Sequence, residues 1–254
     1  SLQLTRRLRR EHPESHIILA GCLAQRKGSE LLETGARLVI GTQHRDQVVA
    51  LLERGDYNLG VLGFTDHSMA HCALVAERAA YILRKLGFDE HQQELAKIAG
   101  YLHDIGNLVN RQDHSQSGAV MAWSILNDMG CDPAELATIV TAIGNHDEGS
   151  GVPVNAVAAA MILADKADVR RSRVRNQDVT SFDIHDRVNY SVKKSWLSIN
   201  EDKSTVTLTL DIDTAYGSVM DYFEIFLNRM MLCRKAAEKL GMQFRLTING
   251  QQLI

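Results

Sequence analysis

Two side chains able to hold a metal ion stand next to each other at His103 and Asp104, in the largely apolar run from Ile98 to Ile105. Ile98, Leu102 and Ile105 recur at helical spacing and mark a stripe that faces a core, so the pair enters the interior beside it. A carboxylate taken out of water takes its proton back unless a cation, a set of hydrogen-bond donors or a metal ion stabilises its charge. Packing alone gives no reason for such a pair.

The same dipeptide recurs at His146-Asp147 and His185-Asp186. The first two copies lie at the ends of apolar helical runs, whereas the third sits in the polar stretch from Ser181 to Arg187 and reads as a loop or strand edge. His71, His114 and Asp165 each fall on a further predicted helix. Imidazoles mixed with carboxylates favour iron, manganese, zinc, cobalt or nickel, and magnesium alone would not select so many histidines.

The order His71, His103-Asp104, His114, His146, Asp165 resembles the HD superfamily of metal-dependent phosphohydrolases, over roughly residues 64–175. The resemblance implies two divalent ions per chain that share Asp104. His71, His103, Asp104 and Asp165 would hold one ion, and Asp104, His114 and His146 the other. It also implies hydrolysis by a metal-activated water, with Asp104 and Lys166 in the catalytic roles. Asn107, Lys166 and Arg170 would face the substrate, and Asp147 would orient a ligand from outside.

Many members follow the doublet with x-Gly-Lys, where this chain has Ile105-Gly106-Asn107. The missing charge points away from cyclic dinucleotides and toward a nucleotide or dinucleotide polyphosphate. The implied enzyme cleaves a phosphoester or phosphoanhydride, as a phosphomonoesterase, phosphodiesterase or dinucleotide polyphosphate hydrolase. The alternative is a metal-containing module that senses a nucleotide and regulates an RNA-modification enzyme.

Helices must position these residues, and the sequence marks their ends. Ser68 precedes a helix that carries His71 and stops at Gly87. Asp89 opens a second, which bears the doublet and ends near Gly106. Asp113 caps a third at His114, and Asp132-Pro133 starts a fourth that runs to His146. Val154 to Ala164 forms a fifth and delivers Asp165 into the core, ahead of Lys166 and the arginines at 170, 171, 173 and 175.

Thr205 to Ile212 alternates as a strand does, Trp196 to Ile199 offers its antiparallel mate, and Phe244 to Ile248 alternates again after a helix from Val219 to Leu240. This ββαβ unit would pack on the helical domain, lid its site or make a homodimer. At the other end, His16 to Ala20 and Arg37 to Ile40 read as parallel strands, with a helix over Ser29 to Thr34 between them. A further helix starts at Thr42 and stops at Gly55. The words Ala20 to Arg26 and Leu38 to Thr42 resemble the second half of the N-terminal domain of radical-SAM methylthiotransferases. Cys22 matches a cluster cysteine of that family, but its companions and the CxxxCxxC motif are absent, so no iron–sulfur cluster is expected.

The expected fold is therefore a mainly α HD-domain bundle at residues 61–180, a short parallel α/β segment at 1–60 and a C-terminal ββαβ subdomain at 181–254. A net charge of −3 argues against a surface built wholly for nucleic acid but does not set the partner, and the HD resemblance implies a small phosphorylated molecule. The arginine run in Leu2 to Glu11 reads as a solvated helix face. Cys22, Cys72, Cys131 and Cys233 are scattered without a CxxC pair, as in a cytoplasmic protein with reduced thiols. The longest apolar run, Val152 to Ala164, is too short for a bilayer, which needs about 20 residues. The chain opens on Ser1 with no signal-peptide pattern, as a fragment or processed chain would.

Overall fold

The computed structural model describes residues 18–20, 38–40 and 42–254, with side chains from residue 46 onward. The expectations placed on the arginine run, on Cys22 and on the Ser29 to Thr34 helix lie outside the described residues. Strands β1 (Ile18–Ala20) and β2 (Leu38–Ile40) pair in parallel. Helix α1 (Thr42–Val61) follows and passes through Gly55 instead of stopping there. That glycine serves a close approach: a Cβ on it would lie 3.0 Å from the backbone nitrogen of Leu108. A side chain at 55 would push α1 off the turn that follows Asp104.

The bundle comprises α2 (Met69–Leu86), α3 (Glu90–Leu102), α4 (His114–Asp128), α5 (Pro133–Gly144) and α6 (Ala156–Lys166). Every residue from Val157 to Lys166 is buried, because α2, α3 and α5 pack around α6. A helix apolar on all sides is stable only when all sides are covered, and burying Ile162 and Leu163 contributes about 1.5–3 kcal/mol each. Asp89, Asp132 and Asn155 accept hydrogen bonds from the first amides of α3, α5 and α6, satisfying donors that the helix itself leaves open. Asp113 does not: it adopts φ 55° and makes no side-chain cap, so α4 opens from a left-handed residue.

Two further readings need correction. Helix α3 ends at Leu102 rather than near Gly106, and Ile105–Leu108 is a separate 3-10 turn. Successive residues of an α-helix point about 100° apart. Leaving the helix at the doublet lets Asp104, at φ −96° and ψ 4°, share a site with His103. The third His-Asp pair is no loop or strand edge: His185 and Asp186 lie in the first turn of α7 (Ile184–Ser191), which Asp183 caps.

Beyond α7 come β3 (Val192–Ile199), β4 (Thr205–Ile212), α8 (Val219–Lys239), β5 (Gln243–Ile248) and β6 (Gln251–Gln252). The sheet order is β3-β4-β5-β6, antiparallel except for the parallel pair β4 and β5. The expected ββαβ unit thus gains a short fourth strand. β4 turns Val206, Leu208, Leu210 and Ile212 to the core, as strict alternation requires. Helix α8 makes the crossover from β4 to β5 and lies against both β5 and α6. Among the described residues no helix is long and apolar enough to cross a membrane.

Candidate metal centre

Helix ends bring the chemistry together. His71 lies in the first turn of α2, His103 at the end of α3, His114 at the start of α4, His146 just past α5, and Asp165 with Lys166 in the last turn of α6. All are buried, as is Asp104. Gly106 allows the close approach of the 3-10 turn to α4, since a Cβ on it would collide with the carbonyl of His114 and lie 2.5 Å from the amide nitrogen of Gly118. Gln116 Nε2 donates to Gly144 O at 2.7 Å and ties the start of α4 to the end of α5.

The imidazoles share one arrangement. Each turns Nδ1 outward to a fixed acceptor: Asp168 Oδ2 at 2.7 Å for His71, Gly100 O at 2.7 Å for His103, Arg111 O at 3.0 Å for His114 and Ile143 O at 2.7 Å for His146. A carbonyl only accepts, so Nδ1 carries the proton and Nε2 of the neutral ring presents a lone pair inward. His71 Nε2 lies 3.3 Å from Asp165 Oδ1 and 3.6 Å from Asp104 Oδ2. His103 Nε2 lies 3.2 and 3.8 Å from Asp104 Oδ2 and Asp165 Oδ1. On the other side His114 Nε2 is 3.5 Å from Asp104 Oδ1 and 3.0 Å from His146 Nε2.

Acceptors therefore face acceptors. The buried atoms His71 Nε2, His103 Nε2 and Asp104 Oδ2 have no hydrogen-bond partner. Only protons or cations between these atoms relieve their mutual repulsion, and the donor set suits a divalent transition metal. The candidate ligand atoms of His71, His103 and Asp165 lie within 4.8 Å of one another, as do those of His103, Asp104 and His146. The residues present fit a metal centre. Burial alone would raise the Asp104 pKa, but positive charge on His103 and the neighbouring imidazoles, which a bound cation would replace, outweighs it and holds the carboxyl well below the ordinary range. Burial holds the His146 ring well below its ordinary value, which keeps it a neutral donor.

A cavity of about 390 Å³ opens beside the cluster. Its polar lining includes Asp104, His114, His146, Asp165, Lys166, Arg173 and Arg229, and its apolar lining includes Leu62, Phe64, Ile225 and Phe226. Lys166 reaches Asp165 Oδ2 at 2.8 Å and Glu148 Oε2 at 2.6 Å.

Three of the expected site residues stand elsewhere. Asn107 does not line the cavity; its amide donates to Asp104 Oδ1 at 2.8 Å, so it orients the doublet instead of facing a substrate. Arg170 bends back to Asp168, 2.8 Å from its Oδ1, and does not reach the cavity either. Asp147 accepts from the amide of Gly149, and the carboxylate that orients a histidine belongs to Asp168.

Several residues here escaped the sequence reading. Asp168 sits three residues after Asp165, which is the only signal for it in the sequence. Arg111 places NH1 3.3 Å from His114 Nε2 and 3.6 Å from Asp104 Oδ1, restoring near the doublet the positive charge that position 107 lacks. His67, its Nδ1 donating to Thr65 O at 2.7 Å, and the pair His185-Asp186 also line the cavity. Glu148 and Arg229 reach it from a loop and from α8, and spacing gives no signal for either.

Residues 69–186 match the family model described as the HD domain. An uncharacterized protein of Methanocaldococcus jannaschii is 27% identical over 168 residues, which cover 57% of this chain and 64% of that protein. The chain thus spans just under two thirds of that relative's length. The crystal structure of a predicted HD superfamily hydrolase from an uncultured Thermotogales bacterium is similar at 26% identity and a TM-score of 0.40, over 50% of this chain and 69% of the other.

Proposed function

From the premise that residues 69–186 are an HD domain, we propose that the chain is a metal-dependent phosphohydrolase acting on a nucleotide-type phosphoester or phosphoanhydride. In this reading His71, His103, Asp104 and Asp165 hold one ion, and Asp104, His114 and His146 a second. Divalent ions held there supply Lewis acidity toward a phosphoryl oxygen and lower the pKa of a water to near neutrality. The observation that carries the reading is the set of inward Nε2 atoms, each fixed by an outward Nδ1 hydrogen bond, around a carboxylate with an unpartnered buried oxygen.

The chain's own groups then have distinct work. Asn107 fixes the rotamer of Asp104 through its 2.8 Å hydrogen bond. Lys166, beside Asp165 and at the cavity wall, brings positive charge next to the proposed ligands, where it draws in a phosphorylated substrate. Leu62, Phe64, Ile225 and Phe226 offer apolar lining on which a base could rest, and this supports a nucleotide over a bare phosphate. Glu148 and Asp183 give the same cavity acidic members, so a polyanion needs the cations opposite them.

The competing reading is a metal-containing module that binds a nucleotide and turns nothing over. Metal-loaded protein assayed on a panel of nucleoside mono- and polyphosphates, dinucleoside polyphosphates and cyclic nucleotides separates the two. Release of phosphate or nucleotide that a chelator abolishes supports the enzyme. Tight nucleotide binding without product under any metal supports the sensor.

A further inference from the structure

Glu148 lines the cavity without belonging to the proposed ligand set. It lies in the loop between α5 and α6, next to Gly149 and Ser150, both exposed. Its carboxylate nevertheless reaches into the cavity, where Oε2 is 2.6 Å from Lys166 Nζ and Oε1 is 3.4 Å from Arg229 NH2. Lys166 is 3% exposed and cannot turn to water. Arg229 comes from α8, in the C-terminal part of the chain, and its guanidinium stacks over the Phe226 ring at 4.1 Å, which fixes its plane. The buried Nε of Arg229 has no hydrogen-bond partner, so this cation holds a donor to spare.

Charge in this corner is balanced by Glu148 and Asp165 together. In the proposed centre Asp165 neutralises a metal ion, which leaves Lys166 and Arg229 to share a single carboxylate from a surface loop. A phosphate presents the same oxygen acceptors with more charge and suits a lysine and an arginine better. Arg173 lines the same wall, but its Nε and NH1 are taken by the carbonyls of Asp66 and Asp168. Lys166 Nζ and Arg229 NH2 are the donors that Glu148 now engages, and Arg229 Nε is free beside them.

We propose that Lys166 and Arg229 form a subsite for a phosphate group of the substrate other than the one hydrolysed, and that Glu148 occupies this subsite until the phosphate displaces it. The assignment of that phosphate to a substrate rests on the phosphohydrolase reading; the anion subsite itself does not. It selects substrates with at least two phosphates or an equivalent second anion, and makes α8 part of the recognition surface.

The test uses the metal-loaded full chain, with inorganic phosphate as the probe and calorimetric titration as the readout. Glu148→Gln removes the competing charge while keeping the shape, and should tighten phosphate binding about tenfold. Adding Arg229→Met should remove that gain, while Glu148→Gln with Arg229→Lys should keep most of it, and metal content should not change in any of them. Stabilisation by phosphate against heat provides a second readout if a variant is less stable. Unchanged or weaker phosphate binding by Glu148→Gln overturns the proposal, and so does a gain that survives Arg229→Met. A gain that depends on Arg229, in a protein that hydrolyses nothing on the panel, would retain the subsite and reject the enzyme.

Discussion

Asp168 Oδ2 lies 2.7 Å from Nδ1 of His71, in a pair buried on both sides. Burial would raise the Asp168 pKa, yet the hydrogen bond to His71 and the neighbouring Arg173 and Arg170 outweigh it and hold the carboxyl well below its ordinary range. A permanently charged acceptor on Nδ1 fixes the tautomer of His71 and makes Nε2 a stronger donor to a metal. Asp168→Asn should weaken metal binding by about 10–100-fold in a chelator competition. Asp147→Ala should leave it unchanged, since that carboxylate is spent on Gly149. Equal effects from the two would contradict the assignment.

Gly106 is where the turn after the doublet meets the start of α4. Gly106→Ala drives a methyl into the His114 carbonyl, so the turn and helix must separate, at a cost of about 1–3 kcal/mol as in other overpacked sites. Urea unfolding should show that loss, with reduced metal content in the folded fraction. A variant of unchanged stability and metal content would refute the packing argument.

Arg111 sets its NH1 beside Asp104, Asn107 and His114. A cation there would oppose any metal ion held by Asp104 and His114, and would attract an anionic substrate. Arg111→Met should therefore raise affinity for the ion proposed at Asp104, His114 and His146 while lowering kcat/KM. Isothermal metal titration beside steady-state kinetics checks both signs, and weaker metal binding by the variant would reverse the account.

Cys233 is buried in α8, and burial pushes its thiol up to about 12. An unfolded cysteine loses its proton near pH 8.5, at about the free value. The folded chain thus keeps a proton that the unfolded chain releases between those values. This contribution leaves stability intact below about pH 8.5 and lowers it as pH rises toward the folded pKa. Urea unfolding between about pH 7 and pH 10 should show stability falling with pH, and Cys233→Ala should reduce that slope, the remainder coming from the raised thiols of Cys72 and Cys131. A slope unchanged in the variant would place the titration elsewhere.

Much of the fold was legible because its signals are local. Ser68, Asp89 and Asp132-Pro133 mark helix starts through their own side chains, and β4 alternates in the plain sequence. The ligand-type residues were legible for a related reason, since histidines and acids beside apolar stripes have no packing role. What the sequence hid depends on tertiary contact. Gly55 looks like a helix stop until Leu108 is seen against it. His185-Asp186 looks like a loop until α7 closes on the cavity. Arg170 and Asp168 are both polar residues of one charged run, and only the fold decides that the aspartate faces His71 while the arginine faces the aspartate.

The central claim is that Asp104 is the one carboxylate common to two metal positions, with Oδ2 toward His71 and His103 and Oδ1 toward His114. Elemental analysis of the purified chain and its variants, with metal ions expressed per folded chain, tests it directly. Wild type should hold two ions, His146→Ala one, and Asp104→Ala none, because losing the shared carboxylate leaves two cations without the charge that separates them. A single ion in wild type, or an ion retained by Asp104→Ala, would contradict the shared centre and leave a mononuclear site.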